Sequence, residues 1–200
     1  MIYIDKQEEP GWLAEFKKKH PKATYDSKEF KPYISRLNED LVKEQKYICA
    51  YCCCEINTET SHNEHIEPRH PKTYASKRSL DYSNLVASCY GFQGAKTCGP
   101  QKENDYDEKQ FISPLNPACE DKFSYFPNGV IDGDDYTIEL LNLNSYRLKR
   151  AREAIYTTIQ ELDEETIRLI YQDDGDKLSP FINVVKWYIR KSRFCEISGG

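Results

Sequence analysis

Long apolar stretches are absent from this sequence of 200 residues. No run approaches the roughly 18 to 20 apolar residues that a membrane-spanning helix needs, so we expect no membrane span. The N-terminal segment also lacks the basic stretch followed by an apolar stretch that marks a secretory signal. Internal repeats, low-complexity tracts and Gly/Ser linkers are missing as well, which favours one structural unit over two independent domains. These absences predict a protein of the cytoplasm.

An excess of positive charge is also missing, since the formal net charge is -5 at pH 7. This balance argues against a protein that coats nucleic acid through a uniformly basic surface. Residues 62–102 differ from the rest, because six basic residues stand against three acidic ones there. That segment is predicted to contact phosphate, although an ordinary solvated loop would have the same composition. The predicted contacts are Arg69, Lys72, Lys77, Arg78 and Lys102.

Cysteine, in contrast, is abundant, with eight residues. In a reducing compartment disulfides rarely persist, and closely spaced thiols more often hold a metal ion. Cys49 and Cys52 form a Cys-x-x-Cys pair, whose spacing lets two thiolates from one tight turn meet a single ion. Cys89 and Cys98 are the predicted second pair, because the glycines between them let the loop fold back. These thiolates would close a tetrahedral structural zinc site that supplies folding free energy.

Two alternatives to this ligand set stay open. Cys53 or Cys54 could substitute for a member of the set, although adjacent thiols in an extended segment point to opposite sides. All of these residues could also be reduced, buried cysteines that bind nothing. Cys119 and Cys195 stand alone in the sequence, and simple packing is the interpretation for both.

The first two zones of the chain differ in pattern. Residues 1–46 are predicted to be helical, with a short helix that includes Trp12 and Phe16 and a second helix that Pro32 starts. Residues 47–112 form a series of short elements broken by Pro, Gly and Asn, which is typical of a small metal-stapled module.

The last zone, residues 113–200, combines short strands with a helical tail. Strands are predicted at 125–131 and 137–140, on either side of an acidic turn. Apolar stripes follow at helical spacing over 148–162 and 181–189. They predict core packing or contact with a partner, and the pattern does not choose between the two.

The middle zone concentrates three histidines in the nine residues 62–70. An acidic-His-Ile-x-Pro segment begins at Glu64, an Asn-Leu-x-x-x-Cys segment begins at Asn84, and a Cys-Gly-x-x-Lys segment ends at Lys102. This combination closely resembles the signature of HNH endonucleases. The resemblance implies an α+β fold with a ββα-metal core, the HNH or His-Me finger. That core would carry the structural zinc between N-terminal helices and a C-terminal helical extension.

The resemblance also implies a role for each residue of the motif. His65 would be the general base, Glu64 a ligand of a catalytic divalent ion, and Asn84 the residue that orients the base. Elementary chemistry agrees, because phosphodiester hydrolysis needs a base near neutrality and a cation that neutralises the leaving oxygen. A hard, oxygen-ligated ion such as Mg²⁺ or Mn²⁺ suits Glu64.

Gly99 departs from the signature, because the family usually has His or Asn directly after the final cysteine. Glycine has no side chain that could ligate a metal. Glu103 or Asn104 could reach the ion from a helix that begins near residue 100, and His70 could enter the site from the preceding loop. The second ligand of the catalytic ion is therefore left open among these residues.

Short matches outside the finger extend the resemblance to the PtuB-like nucleases, which are retron-associated and Septu-type HNH proteins. They lie at Ile4–Pro10, Tyr25–Ser27, Leu41–Gln45, Ile138–Asn144, Leu148 and Arg152. The resemblance implies a toxic effector of antiphage defence that works with a PtuA-like ABC-type ATPase. In retron systems a reverse transcriptase and its DNA–RNA product would be further partners. The helix face from Phe181 to Ile189 would then dock on a partner.

Two other functions compete with the nuclease. A zinc-bound module could recognise nucleic acid or protein without cutting it, and Gly99 supports that alternative. A zinc deaminase would use His62 and Glu64 as a His-x-Glu element, but deaminases place their Cys-x-x-Cys after that element, and here it comes before. In the nuclease, His62 is interpreted as a solvent-facing strand residue, since strand alternation sends it away from His65. DNA is the first expected substrate, and an RNA such as tRNA is the alternative.

Overall fold

A computed structural model describes residues 1–68, 78–104, 106–171 and 175–198, the last of these without the side chains of 193–198. The helices are α1 (Gly11–Lys19), α2 (Ile34–Glu44), α3 (Gly99–Lys102), α4 (Asp135–Leu140), α5 (Tyr146–Ile159), α6 (Glu164–Ile170) and α7 (Ile182–Ser198), and the strands are β1 (Ser61–His65), β2 (Leu85–Cys89), β3 (Phe123–Tyr125) and β4 (Ile131–Gly133). Within these ranges the fold mixes helices with two small antiparallel sheets.

The two helices predicted near the N-terminus are present as α1 and α2. Pro32 lies in a 3₁₀ turn, Lys31–Tyr33, that leads directly into α2, where its missing N–H costs no hydrogen bond. Leu37 and Leu41 are fully buried on the face of α2 that packs against the sheet of β1 and β2. This helix thereby supports the strands that carry the candidate site.

Strand β1 has no apolar residue, and its two faces meet different partners. In β1 the buried residues alternate with half-buried ones, as the period of two in a strand requires. On the α2 side, Asn63 donates to the Ile34 carbonyl over 3.0 Å and Ser61 donates to Asn38 over 3.1 Å. Strand β2 is buried throughout and pairs antiparallel with β1, with His65 opposite Leu85.

Helix α3 completes a β1–β2–α3 sequence of elements, in the order that the resemblance implies. It spans Gly99–Lys102, and a backbone hydrogen bond of 2.9 Å from Cys98 to Leu141 ties its start to the C-terminal region. The helix ends before Glu103, which has φ of 54° and leaves the helical path. The helix is therefore too short to present residues beyond Lys102.

The strand predictions in the last zone are wrong in part. Residues 125–131 form a hairpin, in which Tyr125 pairs with Ile131 across a tight turn, rather than one strand. Residues 137–140 belong to α4 instead of a strand. The reason is a helix cap, because the Asp134 side chain accepts a hydrogen bond of 2.8 Å from the Thr137 backbone N–H.

The apolar stripe on α7 packs inside the chain. Phe181, Val184 and Val185 are buried, and the Tyr188 ring meets the Tyr156 ring of α5 edge to face at 5.4 Å. Helix α7 also contacts β3. Of the two interpretations of this stripe, the structure therefore favours core packing over the docking of a partner on the same face. Among the described residues, each helix is too short or too polar to cross a membrane.

Candidate metal centre and active site

Four buried cysteines lie together at the turn between α2 and β1 and at the end of β2. The sulfur atoms all lie within 4.8 Å of one another in the set Cys49, Cys52, Cys54 and Cys89. Those of Cys52 and Cys89 are 4.0 Å apart. Ligands of a tetrahedral zinc site at about 2.3 Å from the ion are about 3.8 Å from one another. This cluster has the donor type and the spacing to hold a metal ion such as zinc.

The cluster contains Cys54, which was predicted only as a possible substitute ligand. Cys53 has φ of 61°, so the chain turns back on itself, and Cys54 accepts a backbone hydrogen bond of 2.8 Å from Cys49. This turn breaks the alternation expected of an extended segment and returns Cys54 to the first cysteine. Cys98, the predicted fourth ligand, is fully buried, but its sulfur is not one of the four that lie within 4.8 Å of one another. The cluster thus shares Cys49, Cys52 and Cys89 with the predicted set and has Cys54 in place of Cys98.

The crowding of thiols favours deprotonation at two of them. Burial acts to raise the pKa of Cys49, but hydrogen bonds with its neighbours hold that pKa well below the usual value. For Cys89, the hydrogen bond with Cys49 acts to raise the pKa, and those with Cys52, Cys54 and Cys98 bring it to about 6. The contacts with neighbouring thiols raise the pKa of Cys52 and of Cys54 instead. Because thiolates are the form of cysteine that binds a metal, binding of an ion would displace the protons of those two thiols.

Glu64 lies on the face of β1 that α3 covers, and it has two polar partners there. Its Oε1 atom lies 2.9 Å from Lys102 Nζ, and its Oε2 atom lies 3.1 Å from His62 Nε2. Burial acts to raise the pKa of Glu64, but the hydrogen bonds from His62 and Lys102 and the charge of Lys102 hold it below the usual value. Glu64 is therefore an ionised carboxylate in a largely buried setting.

Lys102 does not point toward solvent, as a phosphate contact would require. Its side chain is 1% exposed, and besides Glu64 it donates to the His65 carbonyl over 2.9 Å and lies 4.2 Å from the centre of the Tyr106 ring. The prediction of a phosphate contact is therefore wrong for this side chain, which neutralises Glu64 instead. A lysine that follows a cysteine motif gives no sequence signal of such burial.

His62 lies beside Glu64, and its interpretation as a solvent-facing residue is wrong. Its side chain is 24% exposed and stacks on Tyr90, with ring centroids 5.0 Å apart. A Cβ atom on Gly99 would lie 2.6 Å from both His62 Nε2 and Glu64 Oε2. Strand alternation contained the signal, since it places residues 62 and 64 on one face.

His65 lies on the opposite face of β1 from Glu64. It is 4% exposed, its Nε2 atom is 3.0 Å from the Ser79 carbonyl oxygen, and its ring meets Tyr25 at 5.0 Å between centroids. A carbonyl only accepts, so Nε2 carries the proton in this contact. The structure therefore separates the imidazole of His65 from the carboxylate with which the sequence associates it.

Asn84 holds the backbone that follows His65. Its Oδ1 atom accepts from the Glu67 N–H over 2.9 Å, and its carbonyl accepts from the Ile66 N–H over 2.9 Å. Asn84 itself is 2% exposed. It thus fixes the path of the chain at the end of β1, and any orientation of His65 by Asn84 acts through this backbone.

The remaining predicted site residues lie away from Glu64 or outside the described ranges. Glu103 is exposed and pairs with Lys96 over 2.5 Å, and Asn104 is also exposed, so neither side chain joins Glu64. Arg78 is half exposed and forms ion pairs with Glu67 and Asp81. The residues that fall outside the described ranges are Arg69, His70, Lys72 and Lys77, and for Cys195 the side chain does.

Comparisons with known proteins give one informative likeness. No protein-family model matches the chain. A curated protein of Escherichia coli, named "Retron Ec83 putative HNH endonuclease", is 28% identical over 151 residues, which are 70% of this chain and 53% of that protein. The chain thus spans about half the length of the relative it matches. The likeness supports the resemblance to HNH endonucleases. The relative's own name contains retron and carries neither PtuB nor Septu.

Proposed function

We propose that this chain is a metal-dependent endonuclease of the HNH type that hydrolyses phosphodiester bonds of nucleic acid. The observation that carries the proposal is the ionised, largely buried Glu64 beside the His62 imidazole, on a β1–β2–α3 unit next to a cluster of buried cysteines. The named relative adds support from an independent direction. A carboxylate and an imidazole side by side are the groups from which proteins build divalent-ion sites for hydrolysis.

Two kinds of ion fit the two donor sets. The thiolates of the cysteine cluster suit zinc, whose role there is to fix the fold of the finger. The Glu64 carboxylate suits Mg²⁺ or Mn²⁺, which would neutralise charge on the leaving oxygen. Glu64 is held in place for this role because Lys102 fixes one of its oxygens and leaves the other facing His62.

His65 is the proposed general base, in accordance with the resemblance. The Nε2 proton is donated to the Ser79 carbonyl, so Nδ1 is the nitrogen of the neutral imidazole that can accept a proton from water. Ser79 belongs to the connection between β1 and β2, and Asn84 fixes the other end of that connection.

The substrate and the partners follow the resemblance as proposals. DNA is the first proposed substrate, and an RNA such as tRNA is the alternative. The proposed partners are a PtuA-like ABC-type ATPase and a retron reverse transcriptase with its DNA–RNA product, within an antiphage defence system of the cytoplasm. The net charge of -5 supports a nuclease whose partners help to hold the nucleic acid.

The test is a cleavage assay on a panel of DNA and RNA substrates with Mg²⁺ or Mn²⁺, on the chain alone and with the product of its genomic neighbour. We expect cleavage by the parent chain and a loss of about 100-fold or more in His65→Ala, with zinc content and circular dichroism unchanged. Cleavage at the parental rate in His65→Ala would remove His65 from the chemistry.

A second function has one specific observation in its favour. His65 is 4% exposed, and a buried imidazole fits a zinc-bound module that recognises nucleic acid or protein without cutting it. The same panel separates the two functions. A binding module would shift the nucleic acid on a native gel and leave it uncut, even with Mn²⁺ and the neighbouring gene product present.

A further inference from the structure

We propose that His62 is the second protein ligand of the divalent cation at Glu64, in the position that a side chain at residue 99 would otherwise occupy. The inference rests on the proposed function in that it concerns the same ion. It assigns a role to a residue for which the sequence indicates only a strand position.

The distance between the two ligand atoms fits an ion between them. His62 Nε2 and Glu64 Oε2 are 3.1 Å apart. Neighbouring ligands of an octahedral ion at about 2.1 Å from the metal are about 3.0 Å from each other. An ion can therefore replace the shared proton of this contact with little movement of either side chain.

The surroundings of His62 restrict it to this contact. Its ring is fixed between Tyr90 on one side and the start of α3, and among the described residues its Nδ1 atom is buried without a hydrogen-bond partner. Here only Nε2 meets a polar group, and that group is the carboxylate of Glu64.

Gly99 supplies the strongest argument. Its φ is not in the left-handed region, so the backbone itself accepts any residue there. A Cβ atom would nevertheless lie 2.6 Å from His62 Nε2, 2.6 Å from Glu64 Oε2 and 2.9 Å from His62 Cε1. The space beside the carboxylate is thus already filled by an imidazole, and glycine at position 99 is what leaves room for it.

Lys102 is compatible with an ion at this place. It pairs with Oε1 of Glu64, whereas His62 faces Oε2. The carboxylate can thus bridge the ammonium group and the ion through different oxygens. The ammonium group is further occupied by the His65 carbonyl and by the Tyr106 ring.

The test measures Mn²⁺ binding to the zinc-loaded chain by electron paramagnetic resonance, with zinc content determined separately. We expect His62→Ala to weaken Mn²⁺ binding by about tenfold or more, with zinc content and melting temperature unchanged. His62→Gln, which keeps a hydrogen-bond donor toward Glu64, should weaken binding similarly and serves if His62→Ala fails to fold. The control is His20→Ala, an exposed histidine at the end of α1, which should bind Mn²⁺ as the parent does.

A double variant tests the exchange of positions directly. In His62→Ala with Gly99→His, the imidazole at position 62 is removed and a new one begins beside Glu64, whose Oε2 atom has to move away from the added Cβ atom, since the two would otherwise be 2.6 Å apart. Mn²⁺ binding should then recover to within a few-fold of the parent. Gly99→His alone should weaken Mn²⁺ binding, because the imidazoles at positions 62 and 99 compete for one space. Parental Mn²⁺ affinity in both His62→Ala and His62→Gln would overturn the inference.

The outcomes separate this inference from the proposed function. Mn²⁺ binding that depends on His62, without cleavage of any nucleic acid, would leave the ligand assignment standing and remove the nuclease. Mn²⁺-dependent cleavage, with Mn²⁺ binding unaffected by the substitution of His62, would support the nuclease and overturn the assignment of His62 as a ligand.

Discussion

Glu64 and Lys102 form a buried ion pair across the interface of β1 and α3, with Oε1 and Nζ 2.9 Å apart and side-chain exposures of 12% and 1%. Burial acts to lower the pKa of Lys102, and the charge of Glu64 opposes that shift. The pair fixes the carboxylate of the proposed ion site, and it also connects the last helix of the finger to its first strand.

Removal of the ammonium group should therefore be costly for folding. Lys102→Met leaves Glu64 without its cation in a largely buried place, and loss of one partner of such a pair typically costs about 3 to 5 kcal/mol. Urea denaturation at pH 7 measures the change in the free energy of unfolding. Lys96→Met is the matched control, since it breaks the exposed pair with Glu103 and should leave the free energy of unfolding nearly unchanged. Equal losses in the two variants would mean that the buried pair does not stabilise the finger.

The five cysteines near the proposed zinc site should differ in their effect on zinc. Cys89 is close to both Cys54 and Cys98, so Cys89→Ala should lose tightly bound zinc. Cys54→Ala and Cys98→Ala should each keep one zinc, because four thiols remain, while the double variant should lose it. Zinc content after competition with a chelator measures this, with Cys119→Ala as the control. If Cys54→Ala lost as much zinc as Cys89→Ala, Cys98 could not replace Cys54 as the fourth ligand.

The cap of α4 gives a prediction in the C-terminal region. Asp134→Ala removes the acceptor for the Thr137 N–H and should lower the free energy of unfolding by about 1 kcal/mol. Asp132→Ala changes an exposed carboxylate of β4 and should have a smaller effect. If the two variants unfold at the same urea concentration, the cap does not determine the helix.

Tyr90 should contribute to nucleic-acid binding. It is 61% exposed and stacks on His62, so its outer face is open to a base beside the proposed ion site. Tyr90→Ala should weaken binding of a single-stranded oligonucleotide by about 1 to 3 kcal/mol in a fluorescence anisotropy titration. Tyr146→Ala, which removes a 74% exposed tyrosine at the start of α5, should leave the affinity unchanged. Identical affinities of the two variants would exclude stacking on Tyr90.

Local pattern was sufficient for part of this structure. Apolar spacing located α2. The cysteine spacing predicted one site of Cys49, Cys52, Cys89 and Cys98, and the first three of these lie in the observed cluster. Cys54 joins them because of the backbone conformation of Cys53, which its residue type does not encode. Residues 137–140 are helical in α4 because Asp134 caps that helix. The four-residue pattern is too short to distinguish the period of a strand from that of a helix.

The candidate site required tertiary information. The alternation of β1 separates His62 from His65, as the sequence indicates, but it does not say which face is exposed. Alternation also places residues 62 and 64 on one face, but only the packing of α3 on β1 shows that this face is covered and that Lys102 is buried. The sequence shows Gly99 as a departure from the signature. It does not show that a Cβ atom at position 99 would clash with His62, because the two residues are 37 positions apart in the chain.

The most direct test of the account is the rate of nucleic-acid cleavage with Mn²⁺ in Glu64→Gln, which keeps the size of the side chain and removes its charge. Glu59→Gln, at an exposed position before β1, is the matched control. With the neighbouring gene product present, the account predicts cleavage by the parent and the control, and a rate at least about 100-fold lower in Glu64→Gln at unchanged zinc content. Cleavage by Glu64→Gln at the parental rate, or intact substrates in all three reactions, would contradict it.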